Sequence, residues 1–154
     1  MNKYMQVANE LAEEAMNNND GGPFGACIVK DDQIIGRGAN NVLKTNDPTA
    51  HAEITAIREA SKNLNTFDLS DCVLYTSCYP CPMCLAAIIW ANIKEVYYGN
   101  TCEDVKSIGF RDEYIYKYLA NPSDQEGLKL ECLDREETIK AFNKFMEKED
   151  KTMY

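Results

Sequence analysis

The chain has 154 residues, a length that suits one domain with a single hydrophobic core. Its formal net charge of −9 argues against a nucleic-acid partner, because proteins that bind phosphate backbones rely on clustered lysine and arginine. No apolar run approaches the roughly 20 residues that span a bilayer, and the N-terminus lacks the apolar stretch of a secretory signal. We therefore expect a single cytoplasmic domain over residues 1–154, without a membrane partner.

The first half of the chain predicts a helix, a β-hairpin and a second helix. Apolar residues recur at helical spacing near the N-terminus, and two short β-favouring runs follow the helix-breaking Gly21-Gly22-Pro23. The predicted elements are a helix over residues 4–16, strands over 24–29 and 34–38, and a helix that is capped by Asp47 or Thr49 and runs to about residue 63.

The second half predicts further strands that alternate with helices. Pro82 suits the first position of a helix. The predicted elements are strands over residues 72–76, 95–99 and 128–133, a helix from Pro82, a short helix over 111–119 and a last helix over about 135–148. Strands interleaved with helices favour an α/β fold, a three-layer α/β/α sandwich with a five-stranded mixed sheet.

Seven cysteines are an odd number, which fits a reducing compartment better than a complete disulfide framework. Four of them lie apart from any motif and are interpreted as small buried hydrophobic residues: Cys27, Cys72, Cys102 and Cys132.

The other three cysteines, Cys78, Cys81 and Cys84, form two overlapping CxxC pairs. Spacing alone does not choose between the pairs, but Cys81 and Cys84 flank the helix start at Pro82. Free backbone N–H groups and the positive end of the helix dipole favour thiolates there. Cys78 is then a packing residue beside the site. A structural zinc site is the alternative, although such sites usually close four protein ligands around the metal.

The only histidine of the chain, His51, stands two residues before Glu53. Residues two apart on a regular helix point about 200° from each other, so these two side chains converge only at a helix start. One imidazole, two thiolates and a carboxylate outside the ligand set match a catalytic zinc site with an open fourth position. The sequence predicts a Zn²⁺ site formed by His51, Cys81 and Cys84, with Glu53 as the catalytic proton shuttle for a zinc-activated water.

The combination of HxE and PCxxC resembles the zinc nucleobase deaminases. Further stretches narrow the resemblance to the bacterial guanine deaminases of the cytidine-deaminase-like fold. These stretches are Gly21 through Ala26, Asn40-Asn41-Val42, Asn46 through Glu53, Thr76-Ser77-Cys78, Pro80 through Cys84, and Phe110 through Tyr116. Tyr79 departs from the pattern, which has glutamate before the proline. The resemblance implies a five-stranded sheet between helices, one zinc per chain, and a homodimer that exchanges the C-terminal segment of about residues 135–154.

The resemblance also implies substrate contacts that base chemistry makes reasonable. The amide of Asn40 can donate to the O6/N7 edge of guanine, and the carboxylate of Asp112 can accept from N1–H and the 2-amino group. Phe24 and Trp90 can stack on the base, and the backbone N–H of Ala52 can bind a carbonyl or ring nitrogen.

The last residue, Tyr154, ends a charged tail of the kind that usually frays. The resemblance implies instead that Tyr154 closes over the active site as a lid that excludes water and admits a free base.

The favoured function is hydrolytic deamination of guanine to xanthine and ammonia, a step of purine catabolism. A deaminase of guanosine or another amino-substituted heterocycle is the nearest alternative. A tRNA adenosine deaminase shares HxE and PCxxC but would need a basic groove. A non-catalytic module stabilised by zinc is the third alternative.

Overall fold

The computed structural model describes residues 1–110, 112–124 and 127–154. The chain divides into two compact units, Met1–Tyr116 and Lys117–Tyr154. The elements in chain order are α1 (Lys3–Asn17), β1 (Gly25–Lys30), β2 (Gln33–Ala39), α2 (Val42–Thr45), α3 (Ala52–Leu64), β3 (Val73–Cys78), α4 (Pro82–Trp90), β4 (Glu95–Asn100), α5 (Cys102–Ser107), α6 (Asp112–Ala120), a 3₁₀ turn (Pro122–Asp124) and α7 (Arg135–Glu147).

The strands form one mixed sheet in the order β2-β1-β3-β4. The predicted hairpin is confirmed, because β1 pairs antiparallel with β2 through a turn at Asp31 and Asp32. Both turn residues have positive φ, 48° and 61°, which matches the right-handed twist of a two-residue hairpin. Strand β1 is also antiparallel to β3, whereas β3 and β4 are parallel.

Helices cover both faces of the sheet, which confirms the three-layer α/β/α prediction. Alternate residues of β1 face opposite sides: Ile28 packs in the cluster formed with α3 and α4, and Cys27 packs with Tyr4 of α1. The cluster on the α3 and α4 side contains the larger buried set. The N-termini of α3 and α4 are therefore held against the same face of the sheet.

Gly38 of β2 allows α3 to approach the sheet very closely. A Cβ at this position would lie 1.9 Å from the carbonyl oxygen of Ala52 and 2.6 Å from the backbone nitrogen of Ala56. Both contacts are with helix backbone, so a side chain could be accommodated only by moving α3 away from β2.

The prediction of a fifth strand was wrong, since the sheet of the described residues has four strands. Residues 128–133 alternate apolar and polar side chains as an edge strand would, but they have no strand pairing in the described chain. Leu128 and Leu130 are exposed, so the alternation here follows no buried face. The two short helices α2 and α5 were not predicted, because four to six residues carry too little periodicity.

The predicted helix over residues 111–119 corresponds to α6, although its first residue, Arg111, lies outside the described residues.

Cys27 and Cys72 are buried as expected, whereas Cys102 and Cys132 are exposed. Cys102 is the first residue of α5, and Cys132 lies in the segment that forms no strand.

The C-terminal unit contains the predicted last helix, α7. Phe142, Phe145 and Met146 recur on this helix at apolar spacing, and all three are exposed. Among the described residues no helix is long and apolar enough to cross a membrane. The single-domain organisation of residues 1–154 stays a prediction.

Candidate metal centre and active-site cavity

The N-termini of α3 and α4 meet at the candidate metal centre. His51 is the N-cap of α3 with extended backbone (φ −70°, ψ 159°), and Cys81 is the N-cap of α4 (φ −64°, ψ 165°). The expected caps of α3, Asp47 and Thr49, were wrong. They form a turn of their own instead, in which the Thr49 N–H donates to Asp47 Oδ1 at 2.8 Å. The backbone changes from extended to helical at His51, so His51 and Glu53 are not related by the geometry of a regular helix.

Three ligand atoms converge between the two helices. His51 Nδ1 lies 3.5 Å from Cys81 Sγ and 3.6 Å from Cys84 Sγ. Tetrahedral zinc with typical Zn–S and Zn–N bond lengths places a sulfur and a nitrogen about 3.6 Å apart, so the donor set fits this ion. Among the described residues these three form the group with metal-binding geometry. Cys78 is not part of it.

Electrostatics at the start of α4 favour a charged sulfur at Cys81. A hydrogen bond from the Cys84 side chain lowers the pKa of Cys81 to about 4. The same contact raises the pKa of Cys84. The backbone N–H of Cys84 also points at Cys81 Sγ, 3.5 Å away, as expected for a thiolate at an N-cap. His51 has a raised pKa, mainly because of its hydrogen bond with Cys81.

Glu53 is a buried carboxylate, 4% exposed, in the first turn of α3. Its Oε1 accepts a hydrogen bond from Thr76 Oγ1 at 3.2 Å, and its Oε2 accepts one from Cys84 Sγ at 3.3 Å. Burial raises the pKa of Glu53 above its ordinary value. A carboxyl group whose pKa is raised and that contacts a candidate metal ligand is suited to accept and return a proton.

A cavity of about 430 Å³ opens onto this centre. It is lined by His51, Glu53 and Cys81, and by three of the predicted substrate contacts, Phe24, Asn40 and Asp112. The structure therefore brings six of the predicted site residues together around one space.

Asn40 is held in a fixed orientation at the cavity wall. It is 3% exposed, and its Oδ1 accepts the backbone N–H of Val42 at 3.1 Å. The absence of a side chain at Gly21 makes room for it, because a Cβ there would lie 2.0 Å from Asn40 Oδ1. With its carbonyl oxygen engaged in this way, Asn40 presents its NH₂ group as a donor.

Asp112 and Phe24 form further parts of the lining. Asp112 is the first residue of α6 and is half-buried, and burial raises the pKa of its carboxyl group, with Cys81 as a smaller cause. Phe24 packs edge-on against Phe110, with ring centroids 4.8 Å apart. These residues give the cavity a carboxyl acceptor and a flat apolar wall.

Two predicted contacts of the N-terminal unit, Ala52 and Trp90, do not line this cavity. Ala52 is fully buried as the first residue of α3, and its N–H is one of the helix-start groups without an intrahelical acceptor. Trp90 is the last residue of α4 and is 64% exposed, a full helix length from the Cys81 end. Tyr154 is exposed and belongs to the C-terminal unit.

Sequence reasoning gave no role to Thr76 and left Tyr79 unexplained. Thr76 is a buried hydroxyl on β3 between the buried residues Leu74 and Cys78 of the same strand face, a pattern that indicates a buried partner but does not identify Glu53 as that partner. Tyr79 lines the cavity together with apolar residues such as Val105. Both belong to contacts between segments distant in sequence, which periodicity does not reveal.

The family model for the cytidine and deoxycytidylate deaminase zinc-binding region matches residues 1–100. The chain belongs to this deaminase family. The matched stretch contains His51, Glu53, Cys81 and Cys84, and the family assignment makes the protein an enzyme of the hydrolase class.

Individual members of the deaminase family resemble this chain to different degrees. Guanine deaminase of Bacillus subtilis (strain 168) is 53% identical over 122 residues, 79% of this chain and 78% of the relative. The X-ray structure of guanine deaminase from Bacillus subtilis superposes with a TM-score of 0.94 at 46% identity, covering 100% of this chain and 99% of that one. A tRNA-specific adenosine deaminase of Buchnera aphidicola is 41% identical over 107 residues, 70% of each chain.

Proposed function

We propose that this deaminase converts guanine and water to xanthine and ammonia. The cavity beside Glu53 is the observation that carries the proposal: it presents an amide donor at Asn40 and a carboxyl acceptor at Asp112, which match the acceptor and donor edges of guanine. The likeness to guanine deaminase along the whole chain supports the same substrate.

The proposed metal is one zinc ion per chain, bound by His51 Nδ1 and the thiolates of Cys81 and Cys84. When bound, zinc lowers the pKa of a water molecule and so supplies a nucleophile near neutral pH. Two thiolates and a neutral imidazole leave such a site close to neutral, so the water is acidified less than at a three-histidine site. The chain therefore needs its own base beside the metal.

Glu53 is proposed to be that base and to return the proton. Its carboxylate takes a proton from the attacking water and then protonates a ring nitrogen and the leaving amino group at C2 of guanine, which departs as ammonia. The hydrogen bond from Thr76 fixes one oxygen of Glu53 during these transfers, when Cys84 is a thiolate and has no proton to donate. The apolar wall at Phe24 excludes bulk water from the base.

Asn40 and Asp112 are proposed to hold the base over Glu53. The Asn40 NH₂ donates to O6 or N7, and Asp112 accepts from N1–H. Adenine has no N1–H, so an acceptor at Asp112 discriminates against it. Phe24 stacks on the ring, and the Ala52 N–H binds a substrate heteroatom at the start of α3.

The proposed assembly is a homodimer that exchanges the segment of about residues 135–154, with Trp90 and Tyr154 completing substrate sites. Support comes from exposed apolar side chains in both units: Ile89 and Trp90 on α4, and Phe142 and Met146 on α7. Association of two copies would bury such surface. The cytoplasmic location stays a prediction.

Two other activities are carried as alternatives. A tRNA adenosine deaminase is supported by the Buchnera relative, but the net charge of −9 gives little attraction for a phosphate backbone. A guanosine deaminase would differ only in accepting a ribose.

The experiment measures ammonia release by the zinc-loaded protein from guanine, guanosine, adenine, cytosine and an adenosine-containing tRNA stem-loop. We expect release from guanine, and Glu53→Gln with unchanged zinc content is the control that should reduce it about 10²- to 10⁴-fold. Release from the stem-loop but not from guanine would replace the proposal with tRNA editing. Zinc binding without release from any substrate would indicate a non-catalytic module.

A further inference from the structure

The backbone of Tyr79 is fixed between the sheet and the metal centre. Tyr79 follows the last residue of β3, and its N–H donates to Asn100 O at 2.8 Å, which extends the β3–β4 pairing by one step. Its carbonyl oxygen faces Cys78 Sγ at 3.6 Å. Two residues later comes Cys81, so Tyr79 has little freedom to move relative to the metal ligands.

The ring of Tyr79 is held on the sheet face that carries the active site. It packs edge-on against Tyr98 of β4, with centroids 5.1 Å apart and planes at 80°. Tyr98 lies on the same face of β4 as Val96, which packs against the core beneath α3 and α4. Tyr79 is half-buried and lines the active-site cavity.

The other hydrogen-bonding groups of the cavity do not match every acceptor atom of guanine, which leaves a role for the Tyr79 hydroxyl. Among the described residues of the lining, Tyr79 carries the only hydroxyl group. Asn40 offers an NH₂ donor, and Asp112 and Glu53 offer carboxyl groups. Guanine has three acceptors apart from its reacting amino group, O6, N7 and N3. The Asn40 amide and the proposed Ala52 N–H match two of them, so one acceptor is left to be matched.

We propose that Tyr79 is a specificity-determining residue whose hydroxyl donates a hydrogen bond to one acceptor atom of the bound purine. This inference rests on the proposed function and deepens it. Loss of the donor leaves that acceptor unpaired at the cavity wall. Binding of guanine is then weakened more than binding of an analogue that lacks the acceptor.

The test pairs Tyr79→Phe with a set of analogues that each alter one acceptor: 7-deazaguanine, 3-deazaguanine and 6-thioguanine. We expect Tyr79→Phe to lower kcat/KM for guanine about 5- to 150-fold. For the analogue that lacks the contacted acceptor, wild type and variant should be equal. Tyr98→Phe, which removes the hydroxyl of the neighbouring ring, should match wild type on all four compounds.

Equal activity of Tyr79→Phe and wild type on guanine would overturn the proposal. So would an equal loss on all four compounds, since that pattern indicates ring packing. Dissociation constants for the same purines, measured by calorimetry on zinc-loaded protein, test the role of Tyr79 separately from the proposed guanine deamination. If wild type releases no ammonia from guanine, the proposed function fails, and Tyr79 is judged by binding alone. Unchanged or undetectable purine binding would then overturn its role.

Discussion

Glu53 and the residues around it illustrate how single side chains prepare the site. The carboxylate is buried with raised pKa, and Thr76 and Cys84 each bind one of its oxygens. The candidate ligands and the proposed base were predictable, because HxE and CxxC place them at fixed spacing along the chain. Thr76 and Tyr79 were not predicted as functional, because their partners come from other strands and helices.

Thr76→Val tests whether the Glu53 carboxylate needs the hydrogen bond from Thr76. The substitution keeps the shape of the side chain and removes the donor to Oε1, so we expect kcat to fall about tenfold with unchanged zinc content. Thr76→Ser retains the hydroxyl and should keep most of the activity. If Thr76→Val is as active as wild type, this hydrogen bond does not position the base.

The buried thiol of Cys27 should make the folded protein less stable at alkaline pH. Its thiol is fully buried, and burial raises its pKa to about 11. A group whose pKa is raised in the folded state contributes stability below its unfolded pKa, near 9.0, and loses it as pH rises toward 11. The thiol should contribute roughly 2 to 3 kcal/mol to this decline. Urea unfolding of Cys27→Ser from pH 8 to 11 should show a shallower decline than wild type, and an identical slope would contradict the assignment.

At the scale of elements, two helix starts build the metal centre against one face of the sheet. His51 and Cys81 are both N-caps, which aims the two helix dipoles at the same point. The order and type of the main elements were predictable from periodicity. The start of α3 was misplaced because Asp47 and Thr49 bond to each other, and the alternating segment 128–133 has no strand pairing in the described chain.

Gly38→Ala tests how closely α3 must approach the sheet. The added methyl would meet the backbone of Ala52, so we expect the free energy of unfolding to fall by about 1 to 3 kcal/mol, with lower zinc affinity. Arg37→Ala, at the exposed neighbouring position on β2, is the control and should change stability by less than about 0.5 kcal/mol. Wild-type stability of Gly38→Ala would show that α3 can move without cost.

At the scale of the whole molecule, exposed apolar surface on both units supports the proposed exchange dimer. The sequence predicted the helix α7 but could not say what its apolar side chains contact, because residue spacing within one chain carries no information about a second copy. The exposed apolar residues Phe142 and Met146 require a partner if they are to be buried.

Deletion of residues 149–154 tests the proposed lid. Without Tyr154 we expect guanine turnover to fall at least tenfold, because the proposed role of the tail is to exclude water from the active site. Zinc content and the sedimentation of a dimer should stay unchanged. Tyr154→Phe in the full-length chain separates the ring from its hydroxyl. Full turnover by the truncated protein would contradict the lid.

The central claim is that Glu53 and a metal held by His51, Cys81 and Cys84 add water to guanine. It is tested most directly by incubating the zinc-loaded protein with guanine in ¹⁸O-labelled water and analysing the purine product by mass spectrometry. We predict xanthine with one labelled oxygen, one ammonia per xanthine, and almost no product from Glu53→Gln. Unchanged guanine after prolonged incubation, or equal label incorporation by Glu53→Gln, would contradict the account.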